Sequence, residues 1–264
     1  MDPTACFLAL VRQPEATMPL DELVLLIAAH ARPGLDVAAA QARLDELAAG
    51  VGGRSAEALC HHLFVEQAFA GNHHDYYDPD NSYLDQVLER RLGIPISLAV
   101  VMIEVGRRAG IELAGVSMPG HFLVRSMAEE ADAPRLIDPF DRGAILDGPA
   151  CEARVRKVLG PAVAFDPVFL APVGTSTIVA RVLANLDAIA AARAARAMLE
   201  WVVRLRAAMP GAPAVLQRRL AGSLAASCRF GEAADVLERL ASTEPGDEPV
   251  DTLATARRLR ARLN

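Results

Sequence analysis

Gly93-Ile94-Pro95-Ile96-Ser97-Leu98-Ala99, then Gly120-His121-Phe122-Leu123-Val124, then Leu136-Ile137-Asp138-Pro139-Phe140: these three runs decide how the chain folds. The first opens a helix. Pro95 at the first helical position forfeits no amide partner, and Gly110 stands where a left-handed residue would end it. Leu98, Val101, Met102, Val105 and Ala109 recur at three- and four-residue spacing on one face. After Gly110 the period changes. Ile111–Met118, His121–Ser126, Arg135–Asp138 and Ala144–Leu146 are short β-prone runs separated by turn residues, which predicts a small antiparallel sheet packed on the central helix. The polar segment Glu129–Pro134 reads as a solvated hairpin loop.

Upstream, the pattern is helical. Asp21–His30, Asp36–Ala49 and Ser55–Ala70 each carry apolar residues at helical spacing, broken by Pro33-Gly34 and by Gly50-Val51-Gly52-Gly53. Ser82-Tyr83-Leu84-Asp85 has the form of a capping box, predicting a fourth helix that starts at Ser82 and stops before Gly93. Downstream, the Pro-rich passage from Pro161 to Pro172 leads into a region that is helical to the end. There Met198-Leu199-Glu200-Trp201-Val202 to Met209-Pro210 aligns with Ala233-Ala234-Asp235-Val236-Leu237 to Glu244-Pro245. The prolines are 35 residues apart, the spacing of tetratricopeptide-like helix pairs with one inserted residue. The expected class is α+β: residues 1–160 as a first domain, 161–174 as a linker and 175–264 as an all-α repeat domain.

With 264 residues and 52% hydrophobic composition, the chain can bury ordinary cores. A net charge of -6 gives no electrostatic basis for binding nucleic acid or an anionic membrane. Lys157 is the only lysine, so arginine carries nearly all the positive charge, suited to surface pairing with Asp and Glu. Cys6, Cys60, Cys151 and Cys228 are scattered, with neither a CxxC pair nor metal-ligand spacing, and read as free thiols in a reducing compartment. Met1-Asp2-Pro3 lacks a basic leader, and the early apolar run Leu23–Ala29 is too short to cross a bilayer. A cytoplasmic location without cofactors is expected.

The order of helix start, His strand and Asp strand resembles the core of the transglutaminase and cysteine-protease-like superfamily. Further motifs narrow the resemblance: Gly71-Asn72, Asp75-Tyr76-Tyr77-Asp78-Pro79-Asp80-Asn81-Ser82-Tyr83-Leu84, Val87-Leu88-Glu89-Arg90-Arg91-Leu92-Gly93-Ile94-Pro95-Ile96, Pro119-Gly120-His121-Phe122-Leu123-Val124-Arg125 and Ile137-Asp138-Pro139-Phe140. Together they resemble the bacterial SirB-type family, from about Asp36 onward. That resemblance implies a transglutaminase-like domain followed by tetratricopeptide-like helices, and carries over no defined reaction.

In the superfamily a Cys begins the helix, its thiol acidified by the helix N-terminus, with the His sharing its proton and the Asp holding the imidazole. His121 and Asp138 occupy the matching places, and Pro95 stands where the Cys should be. Ser97 lies about 200° further around the helix axis and suits first-turn hydrogen bonding better than nucleophilic attack. Gly148-Pro149-Ala150-Cys151 could begin another helix and activate that thiol, although buried free cysteines are common. His73-His74-Asp75 with Asp78 and Asp80 invites a metal, yet adjacent loop residues rarely converge on one ion, and Asp78-Pro79-Asp80-Asn81 reads better as a turn. By the resemblance, Asn72, Asp75, Tyr76, Asn81 and Arg90 line a cleft beside His121, with Pro95 and Ser97 at its helix end.

Two functions compete. One is a non-catalytic cytoplasmic adaptor: a degenerate transglutaminase-like site binds a peptide or small polar ligand, and the C-terminal helices hold a protein partner, with Arg204, Arg206, Arg218 and Arg219 as candidate carboxylate forks. The other is a hydrolase or acyl transferase using His121 as base and Asp138 as orienter, with Ser97, Cys151 or water as nucleophile. A structural helical scaffold is a third reading.

Overall fold

The computed structural model describes residues 2–127, 135–242 and 248–263. The expected hairpin loop at Glu129–Pro134 and the Glu244-Pro245 end of the repeat lie outside the described residues. The chain divides into two compact units, Met1–Ile189 and Ala190–Asn264.

The first unit opens with helices begun by side-chain caps. Asp2 caps α1 (Pro3–Leu10), Asp36 caps α3 (Val37–Ala49) and Ser55 caps α4 (Ala56–Cys60), each accepting a first-turn amide; α2 spans Leu20–Ala31. Helix α4 runs on as one π turn, His61–Glu66, so the helix expected to reach Ala70 ends earlier. Then β1 (Ala70–Gly71) pairs in parallel with β2 (Leu92–Gly93) on either side of α5 (Leu84–Arg90). The capping box at Ser82 does not form. Ser82 instead ends the 3-10 turn Pro79–Asn81, and Tyr83 precedes α5 without a side-chain cap. Two turn-forming residues upstream, Asp78 and Pro79, claimed this stretch first, with Asp78 capping the turn.

Helix α6 (Pro95–Ala109) ends, as the pattern predicts, on Gly110 at φ 72°. It is buried on more than the single predicted face: Pro95 to Met102 and Glu104 to Gly106 are all buried. A helix enclosed on most sides belongs at the centre of a domain, and α6 packs on α3, α5 and the first two strands that follow it.

Those strands are β3 (Leu113–Val116), β4 (Leu123–Ser126), β5 (Leu136–Asp138) and β6 (Ala144–Leu146), followed by α7 (Gly148–Leu159), β7 (Pro172–Val173) and α8 (Thr175–Ala192). The sheet is antiparallel throughout, in the order β6-β5-β4-β3-β7. Val116, Leu123 and Leu136 share one face and pack with Cys151 and Val155 of α7. Val124 and Ile137, paired on the other face, are also fully buried. Side chains alternate along a strand, so His121, two residues before Leu123, and Asp138, two after Leu136, fall on the α7 side.

Residues 161–174 are not a linker. Pro172 and Val173 pair with Val116 and Gly115, and Ser176 at the start of α8 donates its amide to Glu15 Oε1 at 2.9 Å. The division near residue 189 rather than 161–174 follows from these pairings. Helix α8 is long and apolar enough to cross a membrane by length and composition, with mean hydropathy 1.2, but Val179, Val182, Leu183 and Leu186 are fully buried within the protein.

One polar network braces the first unit. Arg108 reaches Asp21 at 2.5 Å, Asp45 at 2.6 Å and Glu104 at 2.5 Å from its own helix, and Arg107 also binds Glu104. Asp21 and Glu104 are both buried.

The second unit comprises α9 (Arg196–Ala208), α10 (Ala214–Ala226), α11 (Phe230–Ala241) and α12 (Glu248–Arg260). Each packs on the next, around Val203, Leu220, Leu224, Ala233, Leu237 and Ala256. Arg229 ties α9 to α11 through Glu200 and Glu232.

Candidate functional site

His121 and Asp138 meet across the sheet, Nε2 to Oδ2 at 2.9 Å. Gly120 places the imidazole: it sits at φ 72°, and a Cβ there would stand 2.5 Å from Val158 of α7. Asp138 is 1% exposed, yet every oxygen it buries is answered. Oδ2 also forms an ion pair with Arg154 at 3.2 Å, and Oδ1 accepts the amides of Phe140 at 3.0 Å and Asp141 at 3.3 Å. Burial pushes this carboxyl up. The His121 hydrogen bond and charge, the Arg154 guanidinium and the Asp141 amide outweigh it and hold the group below its ordinary range. An ionised Asp138 accepting from Nε2–H fixes one tautomer and leaves the lone pair on Nδ1. Asp138 is the sole hydrogen-bond partner of the ring among the described residues.

Beside the imidazole lies an aromatic shelf. The Phe140 ring is 6.4 Å from His121, 5.9 Å from Tyr76 and 4.4 Å from His73, and Tyr76 stands edge-on to Tyr77 at 5.3 Å. Edge-to-face contacts of this kind hold the rings in place. Both tyrosines remain exposed. Burial raises the Tyr76 phenol and neighbouring Tyr77 adds to this, while Arg181 opposes it. Gly71 is required here, because any Cβ would meet the Phe140 ring at 2.5 Å.

The other predicted site residues build the loop rather than the cleft. Asn72 donates to Asn81 at 3.0 Å and accepts the Asp75 amide at 3.1 Å. Asn81 donates to the Asp75 carbonyl at 2.7 Å and lies near that of Tyr76 at 3.3 Å. Both asparagines are buried, and together they fold residues 72–81 so that Tyr76 faces Phe140. Arg90 clamps the same loop through Asp78 at 2.9 Å, with Asp80 at 3.7 Å. Asp75 contributes its backbone, and its side chain is exposed. Of the predicted binding residues, Tyr76 alone joins the ring cluster that includes His121. His73 also joins that cluster, and no group of three or more metal-ligating side chains assembles among the described residues.

Neither candidate nucleophile bonds to the imidazole. Ser97 is 1% exposed; its hydroxyl accepts the Ile94 amide at 3.0 Å and donates to the Asn81 carbonyl at 2.5 Å, locking the tip of α6 to the loop. Ser97→Ala should therefore cost about 1–3 kcal/mol of stability by orphaning a buried amide and carbonyl, measured by denaturant unfolding. Cys151 is 0% exposed, packed between α7 and the sheet. Burial raises its pKa; Arg154 opposes this, and Asp147 and Asp138 add to it. Burial likewise pushes Cys60 up to about 11. Pro95 is buried at the first position of α6.

Sequence reasoning did not single out Phe140 or Arg154. Phe140 could have been found from Asp138-Pro139-Phe140, since an Asp that accepts the amide two residues on makes a turn that throws the next side chain back beside it. Arg154 follows Cys151 by three on a helix capped by Asp147, so it faces the sheet with Cys151 and Val155.

A profile of the transglutaminase-like superfamily matches residues 25–184. The UPF0162 protein of Xylella fastidiosa strain 9a5c is 39% identical over 254 residues, covering 90% of this chain and 88% of that one. A UPF0162 protein of Pseudomonas aeruginosa is 34% identical over 196 residues, 70% of this chain and 69% of its own. Human F-box only protein 21 is 37% identical over 103 residues, which is 36% of this chain and 16% of that larger one. With the helix, sheet and His–Asp pair in the arrangement described and a match across most of its length, the chain belongs to the transglutaminase-like superfamily and, within it, to the UPF0162 proteins.

Proposed function

We propose that this is a cytoplasmic, non-catalytic adaptor of the SirB type, whose degenerate transglutaminase-like site binds a peptide or small polar ligand and whose C-terminal helices, a tetratricopeptide-like module, hold a protein partner. One observation carries the reading: the His121–Asp138 pair is intact, and no thiol or hydroxyl bonds to its imidazole among the described residues. Activation of a side-chain nucleophile requires that contact. The free Nδ1 and the exposed face of Tyr76 remain, and they supply a hydrogen bond and an apolar surface for a ligand. In the second unit, a cleft of about 470 Å³ among α10, α11 and α12, lined by Ala221, Gly222, Ala225, Leu237 and Leu259, supports a role in holding a chain.

Two measurements test this. Iodoacetamide labelling at pH 6.5 should modify no thiol faster than a model peptide, because burial raises both Cys60 and Cys151. A fast thiol slowed by His121→Ala would overturn the reading. In a peptide-array screen, binding by the native chain should be lost in the double variant His121→Ala with Tyr76→Ala. Asn72 is left untouched, since its loss would unfold the loop. Hydrolysis of amide or ester substrates that depends on His121 would favour the second function, with water as nucleophile on Nδ1.

A further inference from the structure

Two guanidiniums belong to the site around His121, and neither is fully used by the protein. The first is Arg154. His121 Nε2 and Arg154 Nη2 converge on the same carboxylate oxygen, Asp138 Oδ2, at 2.9 and 3.2 Å. The other arm of that guanidinium is left over, since Arg154 Nη1 is buried and has no hydrogen-bond partner. A charged donor withdrawn from water and left unpaired is costly, and an anionic acceptor supplied by a ligand would relieve it.

The second is Arg181 of α8. It is half-buried, and it makes no hydrogen bond or ion pair among the described residues. Its charge is felt at the Tyr76 phenol, where the one other group with an electrostatic effect is Tyr77. Asp75, the exposed acid beside Tyr76 in sequence, is not among them. Between the two cations stand rings. Phe140 lies 5.9 Å from Tyr76 and 6.4 Å from His121, which Asp138 joins to Arg154. An apolar shelf with an unanswered guanidinium at either end suits a ligand that is hydrophobic in its body and negative at one point.

We propose that this site takes a carboxylate presented by a peptide, the carboxylate accepting from Arg154 Nη1 within the field of Arg181 while an adjacent apolar side chain lies on the Tyr76–Phe140 shelf. The inference rests on the ligand-binding reading of the cleft given above and names what the cleft binds. The carboxylate is either a chain end or an acidic side chain. Calorimetric titration of the full chain with N-acetylphenylalanine, its neutral amide and N-acetylaspartylphenylalaninamide tests this. One of the acids should bind about tenfold or more tightly than the amide, the scale of one charge-assisted hydrogen bond. If N-acetylphenylalanine is the tighter, the site reads a chain end; if the aspartyl compound is, it reads an acidic residue. Arg181→Gln, which breaks no ion pair, should cut the affinity of that acid several-fold and leave the amide unchanged, and Arg154→Gln should abolish the preference. Tyr76→Ala should weaken all three compounds. Acid and amide bound equally and both weakened by Tyr76→Ala, or a preference unaltered in Arg181→Gln, would overturn the carboxylate assignment and leave the ligand site standing. No binding of any of the three at millimolar concentration would overturn the assignment and the ligand-binding reading together.

Discussion

Arg108→Ala should lower the unfolding free energy of the first unit by about 3–5 kcal/mol, because removing one member of a buried ion network strands the others. Arg108 serves three carboxylates from three elements: Asp21 of α2, Asp45 of α3 and Glu104 of α6. Without it, Asp21 loses its charge partner, and Glu104 keeps only Arg107. Arg108→Lys should recover little, since one ammonium cannot present three donors in a fixed fork. Urea unfolding followed by circular dichroism measures the loss. The pH dependence provides a second check. Burial raises Asp21, and Arg108 outweighs it, so the folded carboxyl lies below 3.8. A group depressed on folding contributes stability above its unfolded value and loses it as pH falls through the folded one. The gap between native chain and variant should be full at neutral pH and close in acid below 3.8.

Asp138→Ala is expected to cost a similar amount, about 3–5 kcal/mol. It would leave Arg154 unpaired and deprive two turn amides, those of Phe140 and Asp141, of their acceptor. Asp138→Asn separates the two roles of the residue. An amide oxygen still accepts the turn amides, so Asn should restore much of the stability while losing the charge that fixes the His121 tautomer. The His121 ring reports on this directly: its nitrogen resonances by NMR should show one dominant tautomer in the native chain and a mixture in Asp138→Asn. An unchanged ring spectrum would mean that the carboxylate does not orient the imidazole. Because the folded carboxyl of Asp138 is also depressed below 3.8, the stability difference between the native chain and Asp138→Asn should fade as pH falls through that region.

What could be read from the sequence was what neighbours along the chain decide. Pro95 and Gly110 bracket α6 because caps act within one turn, and the β-prone runs after Gly110 are strands in the structure, the first three slightly shorter than their runs and Ala144–Leu146 with the same bounds. His121 and Asp138 could be paired from motif order, and strand parity now gives the reason that both face α7. Features requiring distant partners were invisible. The Asp78-Pro79-Asp80-Asn81 turn was legible, but nothing beside it announces that the turn takes Ser82 as its end and displaces the capping box, and nothing in Pro172-Val173 announces pairing with β3. Asn72 and Asn81 read as cleft polar groups through the family resemblance. Ser97, also placed at the helix end of that cleft, reads better as a first-turn hydrogen bonder, and it does accept the Ile94 amide. Only the folded chain shows their hydrogen bonds directed at one another and at loop backbone.

The late return of β7 carries a practical lesson for anyone dissecting this protein. That two-residue strand closes the β3 side of the sheet from more than fifty residues downstream. A fragment ending at residue 160 would strip this cover and bare the Val116 end of β3, inviting edge-to-edge association. Fragments carried through residue 189 keep that flank sealed, and should remain monodisperse where the shorter ones precipitate.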